Sequence, residues 1–190
     1  MKKISRALTA TLAIATALLA MPAIAQTFEA SSADVVAGKT IGNKFVFNGY
    51  GCKGSNVSPA IAWKNAPAGT KSFAVLLHDP DAPTGGAGFW HWVVINIPAA
   101  TTQLAQGAGA ADGKALPAGA KHIDNDFDTA AWGGPCPPVG DKPHRYKFTV
   151  HALKVEKLAL PETATAAVAA TMVNANSLGK AGFTGLYGRR

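Results

Sequence analysis

The chain alternates short apolar runs with Gly, Pro and Asn, a pattern typical of a β-rich domain with many turns. Most of the runs contain β-branched or aromatic residues and are bounded by Gly or Pro, as strands are. The runs that predict strands are residues 44–47, 61–63, 72–78, 92–97, 145–155 and 183–187.

The patterns inside these runs also indicate where each strand lies in a sheet. Residues 145–155 alternate between apolar positions such as Phe148 and polar positions such as Lys147, so one face contacts the core and the other is partly solvated. The runs 73–77 and 92–95 are continuously apolar. They predict central strands that are buried on both faces.

The remaining segments complete a mainly β, α+β fold class. Residues 99–119 are rich in Ala, Gly, Thr and Gln and predict a long surface loop. Pro161 opens an alanine-rich stretch that extends to about Asn174 and predicts a helix, because Pro and the following Glu are common where helices begin. We expect Gly179 and Gly182 to end this helix before the last strand.

The first 25 residues predict a secretory signal peptide. Residues 1–6 carry three basic side chains, residues 7–20 are apolar, and a small-x-small site ends at Ala25. The apolar run is short and a proline follows it, which favours a cleaved signal over a membrane anchor. We therefore expect cleavage after Ala25, one domain over residues 26–190, a periplasmic or secreted protein, and no stable membrane insertion.

The charge balance and the glycine spacing argue against several functional classes. The chain has 18 Lys and Arg against 11 Asp and Glu, a net charge of +7, and three of the basic residues belong to the leader, which leaves +4. The other basic residues are scattered rather than clustered, so no nucleic-acid partner is expected. The glycines of residues 85–88 are not followed by a predicted helix, so they do not indicate a nucleotide cofactor.

Cys52 and Cys136 are the two cysteines of the chain. In an exported protein, an even number of cysteines indicates a disulfide more often than free thiols. We expect these two residues to be bonded to each other.

Two short segments hold most of the potential chemistry. Asp79 and Asp81 lie in a proline-stiffened turn after a buried run, and His91 precedes another such run. His144 follows a second proline-rich loop and precedes the alternating run. We expect these four side chains to converge at one rim of a sheet. There, an imidazole could donate to a phosphate oxygen while a carboxylate orients its ring.

Histidines at strand ends have structural roles more often than binding roles. We assign His78, His122 and His151 to structural roles. A site histidine with its reference pKa of about 6.5 would make anion affinity weaken from pH 6 to pH 8.

Five ordered segments resemble the phosphatidylethanolamine-binding protein family, in its bacterial, Raf-kinase-inhibitor-like branch. The resemblance extends from Phe45 to Arg189. Its segments are GCKGSNVSPAIAW (51–63), DPDAP (79–83), HWVVINIP (91–98), GGPCPPVGDKPHRY (133–146) and FTGLYGR (183–189).

This resemblance implies a β-sandwich with a large central mixed or antiparallel sheet and one or two peripheral helices near the C-terminus. It also implies an anion pocket that needs no metal or other cofactor. The ligand-binding positions that carry over residue by residue are Asp79, Pro83, His91, Pro138, His144 and Tyr146. The chain departs from the family at Trp90, where animal members commonly have a second histidine, and at Cys136, where many eukaryotic members have glycine.

The leading interpretation is a binding protein rather than an enzyme, for phosphate or a phosphorylated head group such as phosphoethanolamine. It could also bind or inhibit a protein partner, as a monomer or a homodimer. One alternative is an enzyme that uses Cys136 with His144, or a metal on the Asp and His cluster, to hydrolyse a phosphoester. Another is an interaction protein that acts through its surface and has a vestigial pocket.

Overall fold

The structure is a computed structural model that describes residues 26–190. The predicted signal peptide, residues 1–25, lies outside the described residues. Within the described part there are ten strands, one α-helix and one 3-10 helix, Asn43–Phe45. The strands are β1 (Glu29–Ser31), β2 (Asn48–Gly49), β3 (Cys52–Lys53), β4 (Ile61–Lys64), β5 (Ser72–Asp79), β6 (Phe89–Pro98), β7 (Gln103–Leu104), β8 (Lys121–Ile123), β9 (His144–Leu153) and β10 (Ser177–Tyr187), and helix α1 is Ala166–Asn176.

A five-stranded antiparallel sheet in the order β10-β9-β5-β6-β8 forms the centre of the fold. Strand β5 lies between β9 and β6, and its residues from Ser72 to Leu77 are all buried. This burial confirms that the continuously apolar runs form central strands.

One face of the central sheet packs against a second sheet, β1-β4-β7. Ile61 and Trp63 of β4 and Leu104 of β7 share a buried cluster with Val75 and Phe148 of the central sheet. The two packed sheets, together with a small β2-β3 hairpin, form the β-sandwich that the resemblance implied.

The opposite face of the central sheet is covered by helix α1. Ala166, Ala169, Ala170 and Val173 of the helix join a second buried cluster with β5 and β6. Small side chains let the helix lie close to the sheet, and the Thr165 hydroxyl caps its first turn by accepting a hydrogen bond from the Val168 amide, at 3.3 Å. The mainly β fold class with a helix near the C-terminus is therefore confirmed.

The prediction of a strand at residues 44–47 is wrong. This segment begins as the 3-10 helix and then turns, with the Val46 amide donating to the Asn43 carbonyl at 3.2 Å. The Phe47 amide donates to the carbonyl of Pro135 instead of to a strand ladder. Turn hydrogen bonds have overridden the β propensity of this aromatic run.

Both boundaries of the predicted helix also need correction. It begins at Ala166 rather than at Pro161, and it ends at Asn176, after which β10 runs through both glycines. A Cβ on Gly182 would lie 2.4 Å from the Phe148 carbonyl oxygen. This glycine therefore permits close approach of two strands and does not end a helix.

The surface loop predicted at residues 99–119 consists mostly of turns, but it contains the short strand β7. Leu104 of that strand and Ala108 are buried in the core between the two sheets. The loop therefore contributes to the core as well as to the surface.

Candidate functional site

A cavity of about 240 Å³ opens at one end of the central sheet. Because β5 is antiparallel to β6 and β9, the end of β5 meets the beginnings of both neighbours, which brings Asp79, His91 and His144 together. All six positions carried over from the family line this cavity. Its lining residues are Asp79, Ala82, Pro83, Thr84, Phe89, His91, Phe127, Cys136, Pro137, Pro138, His144 and Tyr146.

A buried chain of polar groups connects Asp79 to the surface. His144 Nδ1 lies 2.7 Å from Asp79 Oδ2, and His144 Nε2 lies 3.3 Å from Oδ2 of Asp141. Asp79 and His144 are only 2% and 4% exposed, so this hydrogen bond fixes the ring without competition from bulk water. Asp79 therefore positions the imidazole of His144.

The second aspartate of the turn has a different role from the first. Asp81 accepts hydrogen bonds from the backbone amide of Arg145 at 2.8 Å, and from Nε and Nη2 of its side chain at 2.8 and 2.6 Å. The Arg145 guanidinium lowers the pKa of Asp81 to about 2. The ion pair links the turn after β5 to the beginning of β9. Asp81 is therefore turned to Arg145 and does not line the cavity.

His91 is held as a buried, hydrogen-bonded ring. Its Nδ1 lies 2.8 Å from the carbonyl oxygen of Gly133, so this nitrogen carries the proton and donates it. The ring is 3% exposed and packs at 5.0 to 5.5 Å from the rings of Phe89, Phe127 and Tyr146.

Burial lowers the pKa of His91 to about 4, although the Gly133 hydrogen bond and the charge of Asp79 oppose the shift. Desolvation outweighs these favourable contacts, so the environment of His91 argues against the titration near pH 6.5 that was expected of a site histidine.

Tyr146 supplies an unused polar group. Its hydroxyl is buried and has no hydrogen-bond partner in the described part of the chain. Burial raises the pKa of the phenol, and the neighbouring Asp79 carboxylate adds to the shift although it is not in hydrogen-bonding geometry with the hydroxyl, so the group stays protonated. A buried hydroxyl without a partner is uncommon in proteins and here lines a cavity that could hold one.

The proline-rich wall of the cavity is anchored at several points. Cys136 is disulfide-bonded to Cys52, which confirms the predicted pairing. Arg189 Nε donates to the Pro137 carbonyl at 2.5 Å, and the Phe47 amide donates to the Pro135 carbonyl at 3.1 Å. The wall is therefore a rigid, preformed surface.

The glycine pair before the wall is needed for close packing. A Cβ on Gly134 would lie 2.2 Å from the Phe45 carbonyl oxygen, and one on Gly133 would lie 2.4 Å from the Phe127 ring. A larger residue at Gly134 would displace backbone, and one at Gly133 would displace the Phe127 side chain.

The comparisons with known proteins agree with this architecture. The family model described as phosphatidylethanolamine-binding protein matches residues 31–188. The chain belongs to this family. The UPF0098 protein YbcL of Escherichia coli is 47% identical over 171 residues, which cover 90% of this chain and 93% of YbcL. Its crystal structure, described as that of a new member of the mammalian PEBP family, superposes with a TM-score of 0.83 over 86% of this chain and 99% of that one.

Two further relatives come from Escherichia coli and Mycobacterium tuberculosis. The UPF0098 protein YbhB of Escherichia coli is 45% identical over 82% of this chain and 97% of its own length. The putative lipoprotein LppC of Mycobacterium tuberculosis is 38% identical over 73% of this chain and 63% of its own length.

Phe127 is a wall residue of this family member that the sequence patterns did not reveal. It stacks on Phe47 with ring centroids 4.3 Å apart, and it contacts the edge of the Phe89 ring at 4.7 Å. Buried Asn125 organises its loop: the side chain donates to the His91 carbonyl and accepts from the Phe127 amide. The DNDFD segment is the available signal, because Asn and Asp commonly stabilise such turns.

The remaining histidines make hydrogen bonds away from the cavity lining. His78 Nε2 contacts the Ala87 carbonyl, His122 Nδ1 accepts from Trp92 Nε1, and His151 Nδ1 contacts the Ser177 hydroxyl. These contacts agree with the structural roles assigned to them.

Two findings within residues 26–190 bear on the alternative thiol and metal chemistries. The sulfur of Cys136 is in the disulfide, and no group of three or more His, Cys, Asp or Glu side chains is arranged to hold a metal ion. In the same range, no helix is long and apolar enough to cross a membrane.

Proposed function

We propose that this protein binds a small phosphorylated or otherwise anionic molecule in the cavity and acts by binding rather than by catalysis. The observation that carries the proposal is the unpartnered hydroxyl of Tyr146, which is buried beside His91 at the polar end of a preformed cavity. A ligand oxygen is the partner that this hydroxyl lacks.

The chemistry of the walls supports a ligand of this kind. Phe89, Phe127 and the prolines form apolar walls, whereas Asp79, His91, His144 and Tyr146 place polar groups together at the end of the sheet. Apolar walls with a few convergent polar groups are the usual composition of a small-molecule site. The name of the family, which refers to a phospholipid with a phosphorylated head group, points to the same ligand class.

An envelope location fits this function. The predicted signal peptide, the Cys52–Cys136 disulfide and a relative named as a putative lipoprotein all support export to an oxidising compartment. There, a phosphorylated head group or a protein partner would be accessible to the cavity.

Calorimetric titration tests the proposal directly. Phosphoethanolamine and inorganic phosphate should bind the wild type, and Tyr146→Phe should weaken binding about tenfold or more, because a hydrogen bond to a charged group contributes about 1.5 to 3 kcal/mol. The variant should keep the melting temperature of the wild type, since the hydroxyl makes no hydrogen bond within the described chain.

Tyr50→Phe is the matched control, because Tyr50 is 77% exposed and does not line the cavity. It should bind like the wild type. Equal binding by Tyr146→Phe, or no binding by the wild type at millimolar ligand, would contradict the proposal.

A further inference from the structure

The hydrogen-bonding groups around the cavity are mostly acceptors. His91 Nδ1 donates to the Gly133 carbonyl, so in the neutral ring the other nitrogen, Nε2, presents a lone pair. The ring is buried among aromatic side chains, and no carboxylate in the described part of the chain forms a hydrogen bond with it. Its surroundings therefore favour the neutral form.

The other charged side chains beside the cavity already have polar partners of their own. Asp79 accepts from the Asp81 amide through Oδ1, at 2.8 Å, and faces His144 through Oδ2. The far nitrogen of His144 faces Asp141, and the Arg145 side chain is paired with Asp81.

Among residues 26–190, no lysine or arginine lines the cavity. The Tyr146 hydroxyl is a donor that remains for a ligand, and the wall at residues 135–138 offers few backbone donors because three of its four residues are prolines.

We propose that the cavity selects the singly protonated form of a phosphomonoester, whose own P–O–H donates to His91 Nε2 while another phosphoryl oxygen accepts from Tyr146. This inference rests on the function proposed above. The proton stays shared between the ligand oxygen and the imidazole, and no covalent bond forms or breaks. A fully ionised monoester must therefore take up one proton from the solvent when it binds.

The preference for a protonated ligand arises because both a phosphate oxygen and His91 Nε2 are hydrogen-bond acceptors. An unprotonated phosphate oxygen facing a lone pair of neutral His91 would meet electrostatic repulsion and would lose its hydrogen bonds to water. A phosphodiester anion has no proton to give, so the same argument disfavours it. The site should therefore prefer a free phosphorylated head group to the diester linkage of an intact phospholipid.

The pH dependence that this inference predicts comes from the second ionisation of the ligand. The ionisable groups around the proposed phosphate position are Asp79 from β5, His91 from β6, His144 and Tyr146 from β9, and Asp141 behind His144. Burial lowers the pKa of His91 to about 4 and raises that of Tyr146, so neither titrates between pH 6 and 9. A phosphomonoester loses its second proton near pH 6, so its affinity should fall about tenfold per pH unit above pH 7.

Calorimetry with three small probes on the full-length mature protein tests this inference. Methyl phosphate should show the tenfold loss per pH unit between pH 7 and 8.5. Titrations at pH 8.5 in two buffers of different ionisation enthalpy should show about one proton taken up per ligand. Methyl phosphonate, whose second pKa is higher, should keep its affinity to a higher pH, and dimethyl phosphate should bind at least tenfold more weakly than methyl phosphate at pH 6.

The possible results separate the inference from the function on which it rests. Equal, pH-independent binding of dimethyl and methyl phosphate would overturn the proton requirement and leave the anion-binding function intact. Ethanolamine and phosphoethanolamine are titrated in the same way as a comparison pair. Equally tight binding of the two would also overturn the inference, because the acceptors would then hold an ammonium group. Absence of binding by every phosphate probe across pH 5.5 to 8.5 would overturn the proposed function itself.

A substitution provides a second measurement. In His91→Gln the amide can donate directly to a fully ionised phosphate, so the pH profile of methyl phosphate should flatten. An unchanged slope in a variant that folds, judged by its circular dichroism, would contradict the assignment of the shared proton to His91. The ligand series on the wild type decides the inference even if this variant does not fold.

Discussion

Removal of the Cys52–Cys136 disulfide should lower the stability of this protein by an amount that follows from its position in the chain. The two cysteines are 84 residues apart. In the chain-entropy model, opening a loop of this length costs about 4 to 5 kcal/mol of unfolding free energy. Domains of this size are commonly stable by about 5 to 15 kcal/mol, so the loss would be a large share of the total.

The effect on the cavity should be smaller than the effect on stability. Cys136 lines the cavity, but its loop is also held by the Phe47–Pro135 and Arg189–Pro137 hydrogen bonds. We therefore expect Cys52→Ser with Cys136→Ser to remain folded at 25 °C with a weakened but measurable affinity for phosphoethanolamine.

Urea unfolding followed by tryptophan fluorescence measures the change, with oxidised wild type compared with the double variant. Reductant should destabilise the wild type and leave the double variant unchanged, which serves as the control. A loss of less than about 1 kcal/mol would refute the reasoning, because the closed loop would then not restrict the unfolded chain as the model requires.

Two other predictions concern stability. Gly134→Ala should destabilise the fold by about 1 to 3 kcal/mol in the same urea assay, because its Cβ would lie 2.2 Å from the Phe45 carbonyl oxygen. Gly42→Ala is the control and should be nearly neutral, because the nearest atoms there are 4.0 Å away. Burial and the charge of Lys180 lower the pKa of His151 to about 4 in the folded protein, below its unfolded value of about 6.5. Protonation therefore favours the unfolded chain as the pH falls below about 6.5. The free energy of unfolding should decrease by about 2 kcal/mol between pH 7 and pH 5. His151→Gln should reduce that dependence, and an unchanged acid slope would contradict the assignment.

The sequence predicted the central strands because their apolar content is unambiguous. Residues 72–78 and 92–97 are long apolar runs, and the structure places them in β5 and β6 at the centre of the sheet. The run 44–47 was as apolar, but its backbone hydrogen bonds go to a local turn and to Pro135. That partner is nearly ninety residues away in the chain, so local propensity could not reveal it.

The site was only partly predictable for a similar reason. Asp79, His91 and His144 lie at strand ends, so the antiparallel order of the sheet was enough to bring them together. The position of Phe127 depends on hydrogen bonds of a buried asparagine, and the low pKa of His91 depends on rings from three segments. These properties arise from tertiary packing, which the local pattern does not contain.

The most direct test of the binding site is a crystal structure of the mature protein soaked with phosphoethanolamine. We expect phosphorus density in the cavity, with phosphoryl oxygens within hydrogen-bond distance of Tyr146 Oη and His91 Nε2. The same soak of Tyr146→Phe should show lower occupancy at equal ligand concentration. An empty cavity at saturating ligand, or density only at another surface, would contradict the assignment of this cavity as the site.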